Sequence, residues 1–155
     1  MKFSALAILY ILPSVFAQPG SKEINPEVIY NLTPESFTPF ITSHPLALVD
    51  FYTTWCTYCT RLSPKLELAA TWLQGLDLEV PVVVGKVDCT TRPGDRRGII
   101  PFCEDIGVTS LPTLKVYRGG VFQEEYRGPS TAEGIAKFMV EESKKGQDGK
   151  GKGEI

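Results

Sequence analysis

Leu46 to Thr53 is a nearly continuous apolar run in which Asp50 carries the only charge. A run of that kind predicts a central strand covered on both faces. From Cys56 the period changes. Leu62, Leu66, Ala69, Ala70 and Leu73 recur at spacings of three and four, which predicts a helix reaching about Gln74, kinked at Pro64. A buried strand that runs straight into an amphipathic helix is the seed of an α/β layer structure.

The rest of the chain extends that seed. Val28-Ile29-Tyr30 reads as a short strand. Thr33-Pro34-Glu35 supplies an N-cap, a proline at the first helical position and an early acid, so a helix follows from Pro34 to Ile41. Val80 to Val87 is a second buried strand. Thr90 to Gly98, rich in Arg, Gly and Pro, is a loop, and a short helix follows over Phe102 to Ile106. Thr113–Tyr117 and Val121–Tyr126 form a hairpin turning at Arg118-Gly119-Gly120, and Thr131–Glu142 closes the domain as a helix facing inward through Ile135, Phe138 and Met139. Alternation followed by a hairpin implies a mixed sheet of about five strands with helices on both faces.

Both ends read differently from this body. Residues 1–17 start with Met1-Lys2, continue as an apolar run and end at Val15-Phe16-Ala17, the layout of a secretory signal peptide; the alternative, an uncleaved membrane anchor, is disfavoured by the shortness of the run and by Pro13. Residues 18–27 read as a flexible lead-in, 28–143 as the domain, and 144–155 as a disordered Gly/Lys-rich tail. The expected compartment is the secretory pathway, with no membrane attachment after signal cleavage. A formal charge of -2 without a clustered basic surface gives no footprint for nucleic acid.

Trp55-Cys56-Thr57-Tyr58-Cys59 sits where the central strand ends and the helix begins. Unpaired N–H groups and the partial positive charge of a helix N-terminus stabilise a thiolate there. A spacing of three brings Cys59 within reach of Cys56 to close a disulfide. Two plainer readings stand beside a redox pair: half of a zinc site, and an inert structural disulfide. Zinc is disfavoured because Cys89 and Cys103 lack metal-ligand spacing and the only histidine, His44, lies upstream. Asp50, alone in an apolar strand, is expected to hold its proton to higher pH and to serve as a base near neutrality, unless it faces solvent at the strand end.

Val49-Asp50-Phe51-Tyr52 with Trp55-Cys56-x-x-Cys59 and Pro64 resembles the active-site segment of thioredoxin-fold proteins. Gly85-Lys86-Val87-Asp88-Cys89-Thr90, Leu111-Pro112-Thr113-Leu114-Lys115 and Tyr126-Arg127-Gly128-Pro129 are similar to the catalytic domains of the protein disulfide isomerase family. The likeness runs from about Val28 to Glu142. It implies a thioredoxin fold and a thiol–disulfide oxidoreductase that forms, reduces or rearranges disulfides in protein substrates. Cys56 is then the exposed nucleophile and Cys59 the buried resolving thiol. Asp50 takes and returns the Cys59 proton, Lys86 is its charge partner, and Pro112 is a cis-proline opposite the cysteines. Trp55, Thr57, Tyr58 and Leu111 are the substrate-binding rim. Cys89 and Cys103 form a structural disulfide, with a second redox pair or free thiols as the alternatives. No cofactor or metal is implied. The partners are unfolded or disulfide-bonded proteins, with glutathione or another redox partner.

This sequence departs from that family at three points. Thr57-Tyr58 stands where Gly-His is usual, so no imidazolium supports a Cys56 thiolate. Ser130 stands where an arginine often follows Gly-Pro, and Arg127 is the nearby candidate to replace it. Full isomerases have several domains. The departures keep a second function open, a thioredoxin-like chaperone or binding module with little redox turnover. The sequence stops at Gly153-Glu154-Ile155 without a Lys-Asp-Glu-Leu type ending. The expectation is therefore the endoplasmic reticulum lumen with retention through a partner, or secretion.

Overall fold

The computed structural model describes residues 28–91 and 98–145. The signal peptide, the lead-in, residues 92–97 of the expected loop and the tail beyond Lys145 lie outside these residues. Five strands and four helices follow in the order β1 (Tyr30–Leu32), α1 (Pro34–Ser43), β2 (Leu46–Tyr52), α2 (Thr57–Gly75), β3 (Val82–Asp88), α3 (Pro101–Asp105), β4 (Thr113–Arg118), β5 (Val121–Glu125) and α4 (Ala132–Lys144). They form one sheet ordered β1-β3-β2-β4-β5. β1, β3 and β2 run parallel, and β4 and β5 are antiparallel.

β2 lies at the centre, and its side chains divide by the strand's period of two. Leu46 and Leu48 point to the face covered by α2 and α4, where they meet Leu66, Ile135 and Met139. Ala47, Val49 and Phe51 point to the opposite face, against Phe37 of α1, Cys103 of α3 and Val108. Asp50 belongs by register to the α2 side, beside Lys86 of β3.

Local chemistry explains where the elements start and turn. Thr33 caps α1 reciprocally with Ser36, and Pro34 opens the helix without wasting an N–H. The β4–β5 turn needs two residues with positive φ, and Gly119 and Gly120 supply them at 53° and 87°. Thr131 caps α4 by accepting from the Gly134 N–H at 3.1 Å.

Several boundaries differ from expectation by one or two residues. β1 lies two residues later than the Val28–Tyr30 run, because the edge of β3 pairs with Tyr30–Leu32. Val28 and Ile29 instead pack against the α2/α4 core. α4 continues through Lys144, the first residue of the expected tail. Lys144 pairs with Glu141 at 2.9 Å, and Lys145 pairs with Glu142 and with Glu124 of β5. Cations at a helix C-terminus also complement its dipole. Pro64, the position of the expected kink, lies within α2.

Cys89, just after β3, is disulfide-bonded to Cys103 in α3, with both residues fully buried. The bond fixes α3 against the sheet at the end where β2 and β3 finish. It closes a separation of 14 residues. Replacing both cysteines by alanine is therefore expected to lower the unfolding free energy by about 3 kcal/mol. Guanidinium titration of the variant, with the other cysteine pair oxidised, checks this.

Candidate active site

The carboxyl ends of β2 and β3 and the start of α2 meet at one edge of the sheet, the usual place for chemistry in open α/β structures. After Tyr52 the chain turns, with the Cys56 N–H donating to the Thr53 carbonyl at 3.3 Å. Cys56 becomes the N-cap of α2, and its Sγ accepts from the Cys59 N–H at 3.1 Å. Cys56 and Cys59 are disulfide-bonded, with Cα atoms 5.2 Å apart. A sulfur in this position sits on the positive end of a 19-residue helix. The same N–H that now meets a disulfide sulfur would stabilise a thiolate on reduction.

The two sulfurs open onto different spaces. Cys56 lines a groove of about 710 Å³ with Trp55, Thr57, Tyr58 and Leu111. Its far wall is Ile99, Glu104 and Val108, carried by the segment that the Cys89–Cys103 bond holds in place. Tyr58 is 70% exposed, Trp55 and Leu111 half-buried. The groove therefore offers aromatic and aliphatic surface beside the disulfide. Leu111 is joined to Pro112 by a cis peptide bond, and Pro112 is half-buried. Cys56 itself is less open than the expected exposed nucleophile. It is 7% exposed in the disulfide form, and it lines this groove.

Cys59 lines a second cavity, about 360 Å³, with Asp50, Thr53, Thr60, Glu67 and Lys86. Asp50 is buried and does not face solvent. Burial pushes its carboxyl up to about 7, and the Lys86 ammonium opposes that rise. Lys86 is half-buried, 6.0 Å from the Tyr52 ring centroid. Burial, Asp88 and Asp50 together raise the Tyr52 hydroxyl.

Arg127 does not fill the place of the missing arginine. It is exposed and pairs with Glu125 at 3.1 Å, and it lines neither cavity. Sequence reasoning also missed several wall residues. Cys59, Ser63 and Glu67 recur every four residues on α2, so the helical period could have put them on one face. Lys115 is a buried cation on β4. It donates to the Ile106 and Gly107 carbonyls at 3.0 and 3.1 Å and pairs with Glu125 at 3.4 Å. It thereby holds the segment that leads from α3 to Leu111. Among the described residues no group of three or more His, Cys, Asp or Glu side chains could hold a metal ion.

The family model described as Thioredoxin matches residues 28–141. The chain is 39% identical over 112 residues to a probable protein disulfide-isomerase ER-60 of Schistosoma mansoni, covering 72% of this chain and 21% of that protein. It is 31% identical over 150 residues to the protein disulfide-isomerase of Saccharomyces cerevisiae, covering 92% and 27%. The chain thus spans 21% and 27% of these relatives' length. Among solved structures, zinc-bound human ERp44 matches with a TM-score of 0.63 at 26% identity, over 74% of this chain and 31% of that one. The Trx4 domain of ERdj5 matches with a TM-score of 0.59 at 26% identity, over 76% and 96%.

Proposed function

The chain belongs to the thioredoxin family, and from that premise we propose that it is a thiol–disulfide oxidoreductase of the protein disulfide isomerase type, acting on protein substrates. The observation that carries the proposal is the division of the disulfide. Cys56 lines a groove of about 710 Å³ with Trp55, Tyr58 and Leu111, and Cys59 lines a cavity with the Asp50 carboxyl, which burial pushes up to about 7.

In the reducing direction, the Cys56 thiolate attacks one sulfur of a substrate disulfide. A Cys56–substrate bond forms, the substrate S–S bond breaks, and the other substrate sulfur leaves as thiolate. Asp50 then takes the proton of Cys59, whose thiolate attacks Cys56 and releases the second substrate sulfur. The substrate gains two electrons and the cysteine pair loses two. Run backwards, the Cys56–Cys59 disulfide is donated to a reduced substrate. Trp55, Tyr58 and Leu111 bind the substrate chain, with Thr57 at the helix start. The paired Cys89 and Cys103 support the groove wall.

Cys59→Ser is expected to arrest the reaction at the mixed disulfide, so that a cysteine-containing peptide stays covalently on Cys56. Mass spectrometry of the non-reduced product checks this, and its absence overturns the proposal. Because Thr57 and Tyr58 supply no imidazolium, the potential is expected to lie below the ~-180 mV of protein disulfide isomerase. Equilibration with glutathione buffers measures it. The proposed compartment is the endoplasmic reticulum lumen or the route of export from it. Two buried disulfides support an oxidising environment.

A further inference from the structure

α2 packs on the core through Leu62, Leu66 and Leu73, yet it also carries apolar side chains on its outer surface. Leu68, Trp72 and Leu76 are 45%, 44% and 42% exposed. They follow one another at intervals of four residues, so they lie side by side along the helix and its C-cap. A row of large apolar side chains marks an interaction surface, where single exposed residues need no explanation. The other exposed large apolar side chains are Tyr58 at the groove, and Val121 and Phe122 on the β4–β5 hairpin. The Phe122 ring is engaged there by Tyr117 and by the Lys115 ammonium.

The charges at the two ends of the row say what covers it. Arg61 and Lys65, both exposed, continue the same face toward the helix N-terminus. Arg61, Lys65, Leu68 and Trp72 are spaced four, three and four, the spacing of a seam along which two helices lie nearly aligned. Asp77, also exposed, stands just beyond the Leu76 C-cap. None of these three charges has an ion-pair partner among the described residues. The face therefore runs basic, apolar, acidic, and such a row is complementary to itself when reversed. We propose that it is the contact between two copies of this chain, packed through antiparallel α2 helices about a two-fold axis.

An axis midway between Leu68 and Trp72 sets Leu68 of each copy on Trp72 of the other. With a rise of about 1.5 Å per residue, Lys65 and Arg61 lie about 7 and 13 Å from that axis along the helix, and Asp77 about 10 Å on the opposite side. On reversal Asp77 of one copy falls between the two cations of the other, about 3 Å along the helix from each. A parallel pair would set Arg61 on Arg61 and Lys65 on Lys65, and like charges would oppose it. The contact is a single helix pair, at the low end of interface sizes, so association is expected at roughly 100 µM. It places the two Cys56 sites at opposite ends of the contact. The inference does not rest on the oxidoreductase reading.

Sedimentation velocity of the oxidised full chain, from about 5 to about 500 µM, is the test. The weight-average mass should rise toward twice the monomer's at the upper end. Trp72→Glu should remain monomeric throughout with an unchanged circular dichroism spectrum, and Leu68→Lys should behave alike. Arg61→Glu combined with Lys65→Glu should weaken association at least about tenfold, because each new acid faces Asp77, and adding Asp77→Lys should restore it. A wild type that stays monomeric at the highest concentration leaves the row to a different partner and overturns the inference. A dimer that survives Trp72→Glu uses another surface and overturns it too. So does a charge-reversed chain that Asp77→Lys fails to rescue. A failure to reduce insulin would bear on the redox reading alone and would move none of these masses.

Discussion

Replacing Cys56 by serine is expected to bring the rate of dithiothreitol-driven insulin reduction down to that of dithiothreitol alone, a loss of all the acceleration seen with wild type. The reasoning is local. A serine hydroxyl is not ionised near neutrality, so the helix N-terminus has no anion to stabilise and no nucleophile to present to the groove. Serine is nonetheless a good N-cap and can accept from the Cys59 N–H as the sulfur does, so α2 keeps its start. Cys59 cannot substitute, since its sulfur opens into the Asp50 cavity and not the groove. Circular dichroism and thermal unfolding of the variant separate loss of chemistry from loss of fold. A variant rate within twofold of wild type would leave the groove as a binding surface only, the behaviour of a thioredoxin-like chaperone.

The parts of this architecture that were legible in the sequence are those where a single segment carries its own period. β2 announces itself through Leu46 to Phe51, α2 through Leu62, Leu66, Ala69 and Leu73, and the hairpin through Gly119-Gly120. Strand edges were less legible because a partner sets them. Val28 and Ile29 have the composition of a strand, yet β1 pairs two residues later. The site divides in the same way. Cys56, Cys59 and Asp50 lie within ten residues of one another and could be read together. The groove's far wall could not, because Ile99, Glu104 and Val108 reach it only through the Cys89–Cys103 bond and the anchoring of the following segment by Lys115. Thr53 was read as the last residue of an apolar strand. The strand instead ends at Tyr52, and the Thr53 carbonyl accepts the Cys56 N–H that begins the turn.

The second large effect concerns stability and follows from Asp50. In the unfolded chain its carboxyl titrates near 3.8, and in the fold burial pushes it up to about 7. Well below 3.8 both states hold the proton and the group is neutral throughout. Between these values the unfolded state loses its proton while the native state keeps it, so stability falls as pH rises. Above about 7 the native state must also bury a charge, and the penalty is complete. A shift of this size corresponds to roughly 4 kcal/mol. Asp50→Asn keeps the shape and abolishes the titration. The oxidised variant should therefore gain on wild type by roughly 1–2 kcal/mol at pH 5 and roughly 4 kcal/mol at pH 8. Guanidinium unfolding at the two pH values measures the gain, and parallel wild-type and variant curves would overturn the argument. Lys86 limits the cost, since its charge favours the carboxylate. Removing that charge by Lys86→Met should raise the Asp50 midpoint further and carry the declining part of the stability curve to higher pH. A chain selected for stability alone would place leucine at position 50, as at 46 and 48 on the same face of the strand. The carboxyl is destabilising where it stands, and what leucine could not supply is a group pushed up to about 7 in the cavity that Cys59 also lines.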